Sequence, residues 1–192
     1  MGNADAWLLT GQETSPNEQA SASQLAVRAW SLAQLTDEDR AWIGRFQPTV
    51  ELFLSPGKKI LCFHGSPHSF DDILLPDTSE EDFRRLLEGF DAALLTGGHT
   101  HTQQLRRLGN AWYFNPGSVG FAYNWRLPDE QFYADAWADY AVVSAEGERI
   151  GVEFRHVPFD VHELIRLIRA SGKPDAEQAV KMYQRGDTQE KP

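Results

Sequence analysis

The sequence predicts an α/β protein in which two stacked sheets carry helices on their outer faces. Three observations lead there. Short apolar runs alternate with helical periodicities over residues 24–96, hairpin signals crowd residues 104–154, and the end returns to helical spacing. The 192 residues suffice for one domain with a sizeable core, so 1–192 is read as a single unit with a polar tail over 184–192.

The elements follow in order. Residues 11–24, rich in Gly, Ser, Asn and Gln, read as a loop into a helix from Gln24 to Leu35, where Leu25, Ala29, Leu32 and Ala33 recur on one face. Thr36 followed by Asp39 is a capping signal for a second helix reaching Phe46. Val50–Leu54 and Lys59–Phe63 are strands about the turn Ser55-Pro56-Gly57. Ser79 caps a helix to Glu88 with Phe83, Leu86 and Leu87 on one side. Ala92–Thr96 is a continuous apolar strand, the kind buried on both faces. Gly109-Asn110 joins Gln104–Leu108 to Ala111–Phe114, and Glu146-Gly147-Glu148 joins Tyr140–Ser144 to Ile150–Phe154. Helices over Val161–Ala170 and Asp175–Tyr183 complete the pattern.

Composition narrows the function. The net charge is −10, and the 18 Lys and Arg are scattered, with clusters no longer than pairs such as Lys58-Lys59 and Arg106-Arg107. A backbone-gripping nucleic-acid binder shows a basic stripe, so nucleic acid is excluded as a stable partner. No apolar run approaches the roughly 20 residues of a membrane helix, so no membrane association is expected. Met1-Gly2-Asn3-Ala4-Asp5-Ala6 has no basic leader and lacks the Ser or Thr of a myristoylation signal. The one cysteine, Cys62, forms no intrachain disulfide and fits a reducing compartment, so the chain is read as cytoplasmic. Homo-oligomerisation is left open.

Three motifs follow strands. Cys62-Phe63-His64-Gly65-Ser66-Pro67 delivers a histidine to a sharp turn. Leu94-Leu95-Thr96-Gly97-Gly98-His99-Thr100-His101 places two histidines two apart; on an extended segment they point to opposite sides and suit two neighbouring metals. Phe114-Asn115-Pro116-Gly117-Ser118 is a tight turn. Each alone has a bland reading, as a hydrogen-bonded histidine, a loop or a turn. In this order, each after an apolar strand, they are specific. Imidazoles without thiolates favour Zn, Mn, Fe or Ni.

These motifs resemble the later motifs of the calcineurin-like metallophosphoesterases, within them a small bacterial phosphodiesterase-like subgroup. The resemblance runs over nearly the whole chain, including Val157-Pro158-Phe159-Asp160-Val161 before the last helices. It implies a four-layer α/β/β/α sandwich and two divalent ions, manganese first among iron, zinc and nickel. It implies hydrolysis of a small phosphate mono- or diester by a hydroxide bridging the ions. Gly2-Asn3-Ala4-Asp5 is similar to the family's Gly-Asn-His-Asp/Glu motif. By that likeness Asn3, His64 and His99 ligate one ion and His101 the other, with Asn3, Asp5 and His64 forming the catalytic group. Ala4 stands where many relatives carry a general-acid His. His68 and Asn115 are candidates for contact with substrate.

The family opens with Asp-x-His and Gly-Asp motifs before the Asn motif, and here the Asn motif starts at residue 2. The sandwich is therefore expected to be N-terminally incomplete by on the order of 30–40 residues, about one βαβ unit. Apolar sheet edges should be left unpaired, two ions should bind poorly, and activity should be small or replaced by a binding or scaffold role. Two tightly held ions per chain would contradict that expectation. Asp160-Val161-His162 matches Asp-x-His literally but opens a helix, so Asp160 is read as an N-cap; Gly186-Asp187 lies in the polar tail. Residues 121–137, dense in aromatics, are read as a structural loop, or else as a lid that stacks on a nucleoside or aryl group. Asp71 and Asp72 are read as loop or cap residues, and Ser118 as a turn residue.

Overall fold

A computed structural model describes residues 1–11, 20–128, 132–147 and 149–184. The loop expected before the second helix falls largely outside them, as do Glu148 and the tail with Gly186-Asp187.

The chain opens with a helix that the sequence pattern did not disclose, α1 (Asn3–Thr10), whose first turn is closed by the Asp5 carboxylate accepting the Gly2 N–H at 2.9 Å. α2 (Ala22–Ala33) begins two residues earlier than its apolar spacing suggests, because Ser21 and Gln24 form a reciprocal capping box. α3 (Asp37–Ile43) carries the expected Thr36–Asp39 box. Arg28 donates to the carbonyls of Trp7 and Leu9, and Arg40 to those of Leu32 and Leu35. Each guanidinium thereby binds carbonyls at or just beyond the C-terminal end of the preceding helix, where the helix dipole favours a cation.

The strands are β1 (Val50–Ser55), β2 (Lys58–Cys62), β3 (Leu94–Thr96), β4 (Gln104–Leu108) and β5 (Ala111–Asn115), and they form one mixed sheet in the order β1-β2-β3-β5-β4. β2, β3 and β5 run parallel, with Cys62 opposite Thr96 and Thr96 opposite Phe114. The three chains therefore leave the sheet at the same edge. β6 (Trp137–Glu146) and β7 (Arg149–Pro158) form a separate antiparallel hairpin, each strand ten residues long. They are longer than the sequence pattern shows because their ends are polar or exposed and carry no apolar alternation.

Two apolar clusters lie on the two faces of the five-stranded sheet. Leu61, Leu95 and Tyr113 face α4 (Glu80–Leu86), where Phe83 is fully buried between Leu74 and Leu87. Ile60, Leu94 and Phe114 face the hairpin, against Ala141, Val143, Val152 and Phe154. Successive strand residues thus bury on opposite faces, as the uninterrupted apolar run of β3 requires. The other face of the hairpin stays open, with Tyr140, Val142 and Val157 exposed. α5 (Val161–Ala170) and α6 (Ala176–Lys181) pack on each other, and Val180 is fully buried. Asp160 accepts the His162 and Glu163 N–H groups as the N-cap of α5. Among the described residues no helix is long and apolar enough to cross a membrane.

Candidate metal centre

The loops that leave β2, β3 and β5 are stitched together directly beyond the sheet. Phe63 N–H donates to the Thr96 carbonyl, Gly97 N–H to that of Phe114, and Gly98 N–H to that of His64 at 2.7 Å. The edge where parallel strands end is a common place for ligand sites in α/β proteins. Here it brings His64, His99, His101 and Asn115 to one location. Asn3 joins them from the first turn of α1, with its Oδ1 2.9 Å from His64 Nε2. The His64 and His99 rings meet edge to face at 5.2 Å.

The His64 turn needs its glycine. A Cβ at Gly65 would lie 2.7 Å from the Asp72 amide nitrogen, so the chain closes there only without a side chain. Ser66 then binds the Asp72 carboxylate at 2.5 Å. Burial, aided by the neighbouring His99 and His101, pushes His64 down to about 4, against the opposing pull of the Asp5 and Asp71 carboxylates. Its imidazole is therefore neutral at neutral pH; Nε2 donates to Asn3 Oδ1, which can only accept, and the lone pair lies on Nδ1.

The extended conformation expected for the His99–His101 segment is not what forms. Both residues have left-handed backbones, with φ of 60° and 52°, and Thr100 N–H closes a tight turn onto the Gly98 carbonyl. Such conformations cost energy and persist where the surroundings enforce them. Asn115 does the enforcing. It is completely buried, donates from Nδ2 to the Gly98 carbonyl at 2.7 Å and to Thr100 Oγ1 at 3.0 Å, and accepts the Gly117 N–H through Oδ1. Its polar atoms face the loop, so the geometry makes it a positioning residue and gives it no reach toward a substrate. A side chain at Gly117 would run into Asp139, and its φ of 91° suits glycine alone.

His101 Nδ1 lies 2.9 Å from the Phe121 carbonyl, which can only accept, so the proton sits on Nδ1 and Nε2 keeps its lone pair. That is the arrangement in which metal-ligating histidines are held. Burial lowers the His101 pKa, partly opposed by the Phe121 carbonyl. His68 is turned elsewhere: its Nε2 meets the Glu88 carbonyl at 2.9 Å and its ring lies against Phe90. Asp5 is held by the Gly2 amide. Asp71, for which the sequence carries no distinguishing signal, has an Oδ2 that is buried with no hydrogen-bond partner and acts electrostatically on His64. His156 pairs with the buried Asp139 at 2.6 Å, and Asp139 also receives the Ser118 amide; this brace holds the Asn115 turn to the hairpin.

Two donors each about 2.1 Å from one ion and at right angles to it lie about 3 Å apart. The Asn3–His64 pair, joined here by a hydrogen bond, meets that spacing once the His64 proton moves to Nδ1, and with His99 beside it fits a single divalent ion. The residues present do not fit a pair of ions. The donors brought together are three imidazoles and an amide, and among the described residues no group of three or more His, Cys, Asp or Glu side chains is arranged to hold a metal.

A family model for the calcineurin-like phosphoesterase superfamily domain matches residues 1–134, which include every one of these donors. The chain belongs to that superfamily. Among solved structures, a hypothetical protein from Pyrococcus horikoshii superposes with a TM-score of 0.73 at 17% identity, over 96% of this chain and 71% of that one. A metallophosphoesterase from Sphaerobacter thermophilus gives 0.61 at 17% identity, over 94% and 73%. At such identities the likeness concerns the fold, and it agrees with the mixed sheet flanked by helices. No curated protein matches the chain. Superfamily membership supports phosphoester hydrolysis as the general chemistry and divalent metals as its usual agents.

Proposed function

We propose that the chain acts on a small phosphate mono- or diester, using a single divalent ion held by Asn3, His64 and His99, with His101 beside them. The observation that carries this reading is the meeting of these donors at the shared edge of β2, β3 and β5, two of them 2.9 Å apart. Manganese is our first choice, with iron, zinc and nickel as alternatives, and a reducing, cytoplasmic setting suits the free Cys62. When bound, such an ion would neutralise phosphate oxygens and activate the attacking water.

The chain's own residues do the rest. His64 stays neutral and, with its proton on Nδ1, presents its Nε2 lone pair, and Asn115 fixes the loop that aims His99. The Phe121 carbonyl selects the His101 tautomer, and Asp5 holds the turn that carries Asn3. Ala4 offers no proton to a departing alkoxide, which favours esters whose leaving group is already acidic.

One observation favours a second reading, a metal-dependent binding module without turnover. The donors themselves are imidazoles and an amide, which carry no negative charge to offset that of two ions. Native mass spectrometry with manganese, together with release of nitrophenol from bis(4-nitrophenyl) phosphate, separates the two. Hydrolysis that disappears in His99→Ala, with about one ion per chain, supports the enzyme. Ion and phosphate binding without turnover supports the module, and retention of both ion and activity by His99→Ala would overturn the assignment of the centre.

A further inference from the structure

Beside His99 lies a cavity of about 450 Å³, well within the roughly 300–1,000 Å³ typical of small-molecule sites. Its walls are Ile73 and Leu75 on one side and Phe121, Tyr123, Trp125 and Phe132 on the other; His99 and Thr100, from the loop that carries the metal donors, also line it. Among the described residues, no Lys, Arg, Asp or Glu lines it. A flat apolar group would find rings here.

The wall is built before any ligand arrives. Phe121, Tyr123 and Trp125 are every second residue; of the two between them, Ala122 is buried and Asn124 is exposed at the cavity rim. The bridge between Tyr123 and Ala134 fixes the segment, the Tyr123 and Phe132 rings meet at 5.1 Å, and Tyr183 anchors the Gly120 carbonyl through its hydroxyl. Phe121 and Tyr123 each also lie 5.7 Å from the His101 ring, so the aromatic wall packs against the candidate metal centre.

We propose that this cavity seats a planar, uncharged aromatic part of the ester, a nucleobase or an aryl ring, while the phosphate lies at His64 and His99. This inference rests on the phosphate-ester reading above.

The test is calorimetric titration with manganese present, using adenosine 5′-monophosphate, 4-nitrophenyl phosphate and ribose 5-phosphate. At least one aromatic ester should bind about tenfold tighter than ribose 5-phosphate, as one stacked base contributes. Which of the two gains more tells nucleobase from aryl. Trp125→Ala should bring all three within about twofold of each other. Ile73→Ser, on the opposite wall at a residue 58% exposed, should weaken the aromatic esters selectively even if Trp125→Ala fails to fold. Ribose 5-phosphate binding as tightly as both aromatic esters would overturn the proposal, as would unchanged preference in both variants. The two readings fail separately. Aromatic preference without phosphate release from any ester keeps the cavity and removes the hydrolase; equal hydrolysis of all three, untouched by Trp125→Ala, does the reverse.

Discussion

His99 and His101 occupy a backbone region that costs a non-glycine residue about 1–3 kcal/mol, and only the clamp of Asn115 makes it worth holding. Two substitutions separate position from chemistry. His99→Gly relieves the strain and removes the imidazole, so thermal unfolding should rise by the equivalent of about 0.5–1 kcal/mol while manganese affinity falls. A variant that binds manganese as tightly as the parent would show that His99 is not a ligand. Asn115→Ala leaves the Gly98 carbonyl and the Thr100 hydroxyl without their buried donor, and should cost about 2–4 kcal/mol in urea unfolding. A loss below about 1 kcal/mol would mean that the loop holds itself. His64, His99, His101 and Asn115 were legible in the sequence because their motifs follow apolar strands, whereas Asn3, in the first turn of α1, was reached only through the family resemblance. Their conformation was not, since Gly-Gly-His-Thr-His is equally compatible with an extended segment, and histidine is among the residues that tolerate left-handed backbone.

Among elements, β1 is the exposed edge of the five-stranded sheet, and Val50, Leu52 and Phe53 are 45%, 52% and 69% exposed along it. An apolar edge with open backbone groups is a template for pairing with another chain. Phe53→Lys should suppress concentration-dependent light scattering while shifting stability by no more than about 0.5 kcal/mol, as expected of a surface position. Scattering that is unaffected would place self-association elsewhere. Strand positions were readable because turn residues punctuate them: Pro56-Gly57, Gly109-Asn110 and Gly147 all fall at turns, the glycines with positive φ. Caps were readable for the same local reason, as Ser79, Thr36 and Asp160 each accept from the turn they begin. α1 was not. Its eight residues have weak amphipathicity and no buried side chain, and it is fixed by contacts distant in sequence, such as Arg28 on the Trp7 carbonyl and the amino terminus on Gln47.

At the scale of the whole molecule, one sheet separates two apolar layers, and Leu94, fully buried toward the hairpin, should cost about 2–5 kcal/mol on truncation to alanine in the same urea assay. The surface follows a different logic from the core. With a net charge of −10, the protein repels a phosphate ester at long range, and any attraction must be local, from bound ions. Salt then acts with a sign opposite to that of an electrostatically steered enzyme. Raising ionic strength from about 0.01 to about 0.15 M shortens the screening length from about 30 to about 8 Å, which quenches the distant repulsion and leaves contacts at the ion largely intact. The apparent affinity for a phosphate monoester, read as KM where turnover is measurable and as Kd otherwise, should therefore tighten by about two- to fivefold over that range. Weakening with salt would mean that a positive local field dominates the approach, and would assign to Arg or Lys side chains a role that the scattered cations of this surface do not suggest.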